Sequence, residues 1–139
     1  MSFVLDSSVA LTWCFEDEAN AAADALLAQV TDSGAHAPLH WPLEVLNALA
    51  MSEQRGRIGI LARHEKISLL KALPIALDQE TAAPACTTTT RLADRYRLTL
   101  YDAAYLELAQ RLNLPLATLD KQLREAATAL GMTLLGISG

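Results

Sequence analysis

The chain has 139 residues, 52% of them apolar and 19% charged, with a formal net charge of −5. That length and apolar content suit one folded domain over 1–139 with a sizeable core, and they exclude a disordered chain. No apolar run is long enough to span a membrane, and the amino end lacks both a basic region and a signal-type apolar segment, so a cytoplasmic protein is expected.

Charge is unevenly spread. Residues 1–54 hold eight Asp or Glu and no Lys or Arg, while residues 55–139 hold eleven basic residues against eight acids. Phosphate affinity comes mainly from Lys and Arg, so an acidic chain is a poor default binder of nucleic acid. The basic part can still supply a patch, and a bound divalent cation would offset clustered acids. Cys14 and Cys86 are distant and belong to no C-x-x-C pair, which predicts reduced, buried thiols. His36, His40 and His64 lack zinc-site spacing.

In chain order, "SFVLD" reads as a short buried strand and "SVALTWCF" as a short helix. "DEANAAADALLAQVTDSG" is a longer helix ended by Gly34. "AHAPLH" is a second strand. "WPLEVLNALAMSEQRG" carries Pro42 near its start and Gly56 at its stop, the expected asymmetry of a helix. "IGILARHEKISLLKAL" is amphipathic and helical, and "PIALD" is a strand. "QETAAPACTTTTRLADRYR" is helical in part, with Pro84 in its first turn. "LYDAAYLELAQRLN" is a helix, "LPLATLD" a strand, "KQLREAATALG" a helix and "MTLLGI" a last strand. Apolar strands alternating with helices predict a parallel sheet covered on both faces, within a single α/β domain.

In such a sheet, ligands collect beyond the carboxyl ends of the strands, near a switch in strand order. Asp6 and Asp120 both fall at such ends, and Asp102 opens a helix in which Ala103 and Ala104 allow close approach to the sheet. Glu44 lies in the first turn of its helix, with Asn47 one turn on along the same face. Leu43, Leu46 and Leu49 are expected to fill the apolar side. Thr118 precedes Asp120 by two residues, so in an extended segment both side chains point the same way. Singly, Asp6, Asp102 and Asp120 each read as a helix cap and Glu44 as a favourable helix-dipole charge. Together they would share one edge of the sheet. Clustered carboxylates repel unless a counterion joins them, and a hard cation such as Mg²⁺ or Mn²⁺ suits oxygen donors and phosphate substrates.

The pieces "VLDSSVAL.W.F.DE", "WPLEVLNAL", "LYDAAYLELA" and "LATLDKQL" occur in an order and spacing that resemble PIN-domain ribonucleases. The likeness is specifically to the VapC-type toxins of bacterial and archaeal toxin–antitoxin modules. The resemblance implies a three-layer α/β/α fold with a central parallel sheet of about four to five short strands. It also implies a magnesium-dependent endoribonuclease, with Mn²⁺ as the alternative ion, in which metal-activated water hydrolyses a phosphodiester and leaves a 5′-phosphate and a 3′-hydroxyl. Motif by motif, Asp6, Glu44, Asp102 and Asp120 match the family's acidic quartet. Asp6, Asp102 and Asp120 would hold metal directly or through water, and Glu44 would hold a second metal or orient the attacking water. Thr118 and Asn47 match supporting positions. The resemblance further implies an RNA substrate, a small antitoxin whose tail places a basic side chain in the acidic site, and a homodimer.

Arg91, Arg95, Arg97, Lys121 and Arg124 flank the acids and could form a phosphate-contacting rim or an ordinary solvated face. Trp13, Phe15 and Trp41 read as core, and Tyr105 as packing with a hydroxyl that reaches a polar edge. A haloacid-dehalogenase-like phosphatase would need an acid two residues after Asp6, where Ser8 stands. A receiver domain would need adjacent acids after the first strand. A non-catalytic PIN scaffold is the remaining alternative.

Overall fold

A computed structural model describes residues 2–137. Met1, Ser138 and Gly139, the ends of the expected 1–139 domain, lie outside them. The five strands are β1 (Val4–Leu5), β2 (Ala35–Pro38), β3 (Ile75–Asp78), β4 (Leu116–Ala117) and β5 (Leu134–Leu135). They form one sheet in the order β3-β2-β1-β4-β5, and every pairing is parallel. The helices are α1 (Ser7–Thr12), α2 (Ala21–Ser33), α3 (Trp41–Gln54), α4 (Ile60–Ala72), α5 (Thr90–Tyr96), α6 (Leu100–Leu112) and α7 (Lys121–Ala129). A π-helical turn, Ala85–Thr89, leads into α5, directly after Pro84. The expected α/β/α architecture is present: α1 to α4 pack on one another, and α5 and α7 pack on α6, which crosses β1, β2 and β4.

The chain builds outward from β1 to β2 and β3, then returns to place β4 on the other side of β1. This is the switch point at which open parallel sheets hold ligands. β1 needs only two residues because it is central and paired on both sides: Val4 N donates to Pro115 O, His36 N to Phe3 O and Asp6 N to Ala117 O. Phe3, Val4, Leu5, Leu116 and Ala117 are fully buried, as continuous apolar strands in a covered sheet should be. Ala103 and Ala104 are both buried in α6. Phe15 and Trp41 are core, and Trp13 sends its indole N–H to Ala23 O.

Three expectations need correction. The helix read from Asp17 begins at Ala21, because the Asn20 side chain caps Ala22 N and Ala23 N, while Glu16–Glu18 form a 3₁₀ turn. Arg57 holds that turn, donating to Asp17 and Glu18 with its guanidinium 3.8 Å from the Phe15 ring centroid. Leu43 and Leu46 do not fill the apolar side of α3. They are 72% and 38% exposed, whereas Leu49 and Trp41 are buried as expected and Val45 joins them, because the four-residue spacing 41–45–49 is the face turned inward. Cys14 is buried as expected, but Cys86 is exposed in the π turn. Gly34 closes α2 at φ +77°, where a Cβ would stand 2.9 Å from Pro74 O, so the turn into β2 requires glycine.

One ionic network ties the outer strand to the central helix. Arg111 on α6 donates from Nε and Nη2 to Glu107, and from Nη1 and Nη2 to Asp78 at the end of β3. Glu107 is only 5% exposed, and both of its oxygens accept from Arg111. Burial alone would push the Asp78 carboxyl up, but Arg111 and the Glu80 N–H outweigh it and hold it below the usual range. Arg111→Met should cost roughly 2–3 kcal/mol, less than for a fully buried pair because Arg111 is partly exposed. Since Asp78 is depressed in the fold, its share is present above the ordinary carboxylate range and lost as pH falls through its folded value. Denaturant melts of both proteins at neutral and acidic pH should show the gap between them shrinking in acid.

Candidate active site

Each acid of the predicted quartet is placed by a helix start at the carboxyl edge of the sheet. Asp6 follows β1 at the N-cap of α1, Glu44 lies in the first turn of α3, Asp102 in the first turn of α6, and Asp120 at the N-cap of α7. Positive helix ends favour negative charge there. The capping explanation holds for only one of them. Asp120 Oδ1 accepts from Leu123 N at 2.9 Å. Asp6 makes no side-chain cap bond, and α6 is capped by Thr99, whose hydroxyl accepts from Asp102 N.

Asp6 is 3% exposed and receives two hydroxyls on one oxygen. Ser8 Oγ and Thr118 Oγ1 donate to Oδ2 at 2.6 and 2.7 Å. Both hydroxyls are fixed from behind: Leu119 N donates to Ser8 Oγ, and Asp120 N donates to Thr118 Oγ1. The loop after β4 is thereby fastened to Asp6 and the first turn of α1 across the switch point. On the other flank, Tyr105 of α6 donates its hydroxyl to Glu44 Oε1. Sixty-one residues of sequence separate the two.

The carboxylates feel one another. Burial pushes Asp6 up against the pull of the Ser8 and Thr118 hydroxyls, and Glu44 and Asp120 push it further. Asp102 is raised by burial and then by Asp6 and Asp120. Glu44 is raised by burial and by Asp102, with Tyr105 opposing. Burial is the main cause in each case, with repulsion between the carboxylates second, and a bound cation would favour their charged forms. Among the described residues, no three His, Cys, Asp or Glu side chains form a ready-made coordination shell. Hard oxygen donors in an open, mutually repelling group fit a hydrated ion such as Mg²⁺, which keeps several waters and takes only one or two carboxylates directly.

Sequence reasoning missed His40. Its Nε2 lies 3.2 Å from Tyr101 O and 3.6 Å from Glu44 Oε1, and its ring meets the edges of Tyr101 and Tyr105. Burial lowers its basicity against the pull of the Tyr101 carbonyl, Asp102 and Asp6. Its place just before the Glu44 helix was the available signal. Tyr105 does reach a polar edge, as expected. Asn47 is exposed on α3. Among the basic residues, Lys121 is exposed at the start of α7. Arg124 is half-buried and engaged with backbone carbonyls. Arg91, Arg95 and Arg97 are exposed on and after α5, where Arg97 ends the helix in the left-handed conformation at φ 56°.

A sheet in this order with acids gathered at its switch point matches a known family. The PIN domain model covers residues 3–129, and the chain belongs to that family. Its curated relative Ribonuclease VapC3 of Mycobacterium tuberculosis is 31% identical over 102 residues, 73% of this chain and 72% of the relative, which places the chain with the VapC-type members. PAE2754 from Pyrobaculum aerophilum shares the fold at a TM-score of 0.66 and 19% identity, over 91% of this chain and 84% of that one. A toxin–antitoxin complex from Klebsiella pneumoniae aligns at 0.56 and 18% identity, over 85% and 86%.

Because the Asp102 carboxyl is raised in the fold, it favours stability below the ordinary carboxylate range and loses that contribution as pH rises through its folded value. In chelator, Asp102→Asn should therefore melt higher than wild type at neutral pH. The difference should vanish in acid, where both side chains are neutral. Thermal melts across pH check the sign.

Proposed function

We propose that this protein is a divalent-metal-dependent endoribonuclease, the toxin of a type II toxin–antitoxin pair that arrests growth by cleaving RNA needed for translation. The observation that carries the reading is the convergence of Asp6, Glu44, Asp102 and Asp120 on one edge of the sheet, with no lost acid in the family quartet. Similarity to Ribonuclease VapC3 and to a toxin–antitoxin complex supports it. The carboxylates fit Mg²⁺, with Mn²⁺ as the alternative, and leave the non-catalytic scaffold as the weaker reading.

The chain's own residues have distinct tasks in this reaction. Asp6, Asp102 and Asp120 hold the cation, and Glu44, oriented by Tyr105, faces the same space and aligns the attacking water. Ser8 and Thr118 keep Asp6 from turning, since both of their donors meet on Oδ2. When bound, the ion supplies activation of water and stabilisation of charge on phosphorus and the leaving oxygen. The acids serve as a scaffold more than as proton carriers. The reading also includes a cytoplasmic location.

Its partners are a small antitoxin, which places a basic side chain among the acids, and a second copy of the chain. Exposed Leu43, Leu61, Leu100 and Tyr101 provide apolar surface of the kind such partners cover.

Purified protein should cleave RNA with Mg²⁺ or Mn²⁺, stop on chelation and resume when metal returns. Asp6→Asn should lose at least about 100-fold while melting cooperatively, more than is usual for outer-shell changes. Cleavage that persists in chelator, or in pure Asp6→Asn, would sink the assignment. Expression of wild type should arrest growth and Asp6→Asn should not. For the rim, replacing Arg91, Arg95 and Arg97 together should flatten the salt dependence of RNA binding by about 0.7 per phosphate contact removed. An unaltered slope returns these arginines to ordinary surface.

A further inference from the structure

We infer that Arg124 is a positioning residue for the site, acting through the backbone of Thr118, and does not belong to a phosphate rim. This rests on the nuclease reading above. The ladder between β4 and β5 runs out at Thr118, where Thr118 N reaches Leu135 O at 3.3 Å. Beyond it the chain turns away from the sheet to deliver Asp120, and the Thr118 carbonyl needs a partner from elsewhere. Arg124 provides it and adds a second donor to Leu135 O. A single nitrogen, Nη1, donates to Thr118 O at 2.6 Å and to Leu135 O at 3.0 Å.

The contact closes a loop of fixed links. Asp120 caps α7 through Leu123 N, and Arg124 N bonds Asp120 O in the first turn of that helix. The Arg124 side chain then returns to the residue two before Asp120. Thr118 is fully buried and held on two sides: its carbonyl by Arg124, its hydroxyl between Asp6 Oδ2 and Asp120 N. Thr118 O shares its peptide with the Leu119 N–H that donates to Ser8 Oγ, so rotation of this peptide would release the Ser8 hydroxyl that holds Asp6 and redirect the chain toward Asp120. A permanently charged, multi-donor head is suited to clamping two carbonyls. A guanidinium so engaged and half-buried is poorly placed to track a mobile phosphate, in contrast with exposed Lys121.

Wild type, Arg124→Met and Arg124→Lys, as full chains, separate the possibilities. Mn²⁺ affinity is measured by titration without RNA, kcat and KM for RNA cleavage are measured below the melting transition, and RNA affinity is followed against salt. Arg124→Met should weaken Mn²⁺ binding and lower kcat, each roughly 10-fold, with the salt slope unaltered. Arg124→Lys should recover most of both, since an ammonium can still donate to two carbonyls. If Arg124→Met does not fold, Arg124→Gln, which keeps amide donors, should show an intermediate loss. A raised KM with a flatter salt slope and intact Mn²⁺ binding would make Arg124 a phosphate contact. A lower melting temperature with Mn²⁺ affinity and kcat unchanged would make it structural only. Either result overturns the inference while the nuclease reading stands; a wild type that neither binds Mn²⁺ nor cleaves RNA overturns both.

Discussion

Two hydroxyls meeting on one oxygen of Asp6 set the geometry on which the rest of the site depends. Ser8 comes from the first turn of α1 and Thr118 from the loop after β4, so the Thr118 bond joins residues 112 positions apart in sequence. A buried carboxylate is costly without such donors. Here the donors are themselves fixed by the N–H groups of Leu119 and Asp120, so satisfying one charge also places the next acid. The strand order makes this possible, because only at the switch point do β1 and β4 run side by side with their ends free.

The site was readable from sequence to the extent that local rules govern it. Strand ends and helix starts are local features, and the acids at them could be named in advance. Which acid caps and which faces the cluster was not readable. That depends on Thr99 taking the cap of α6 from Asp102 and on the Ser8 and Thr118 hydroxyls engaging Asp6. Long-range partnerships were equally hidden: the Tyr105 hydroxyl on Glu44, His40 against the Tyr101 carbonyl, and the Arg124 side chain on Thr118 and Leu135. Periodicity alone also misplaced the inward face of α3. Leu43 and Leu46 are as apolar as Val45 and Leu49, and only packing against neighbouring helices decides between them.

The distribution of charge follows from the same architecture. The acids that face the cluster are held at the amino ends of helices, where the backbone favours them. The acids that only stabilise, Asp78 and Glu107, are paired with Arg111 on the far side of α6. Asp6, Glu44 and Asp102 are therefore raised above the usual carboxylate range, chiefly by burial, while Asp78 and Glu107 share the Arg111 guanidinium.

Asp120 differs from the other three acids in one respect: one of its oxygens already serves the backbone of α7. Losing Asp102 gives up its contact with the Thr99 hydroxyl but leaves the α6 cap in place, whereas losing Asp120 strips α7 of its cap, worth about 1 kcal/mol. The carboxylate after the fourth strand is thus tied to the fold itself, and its removal would be felt by α7 whether or not an ion is present.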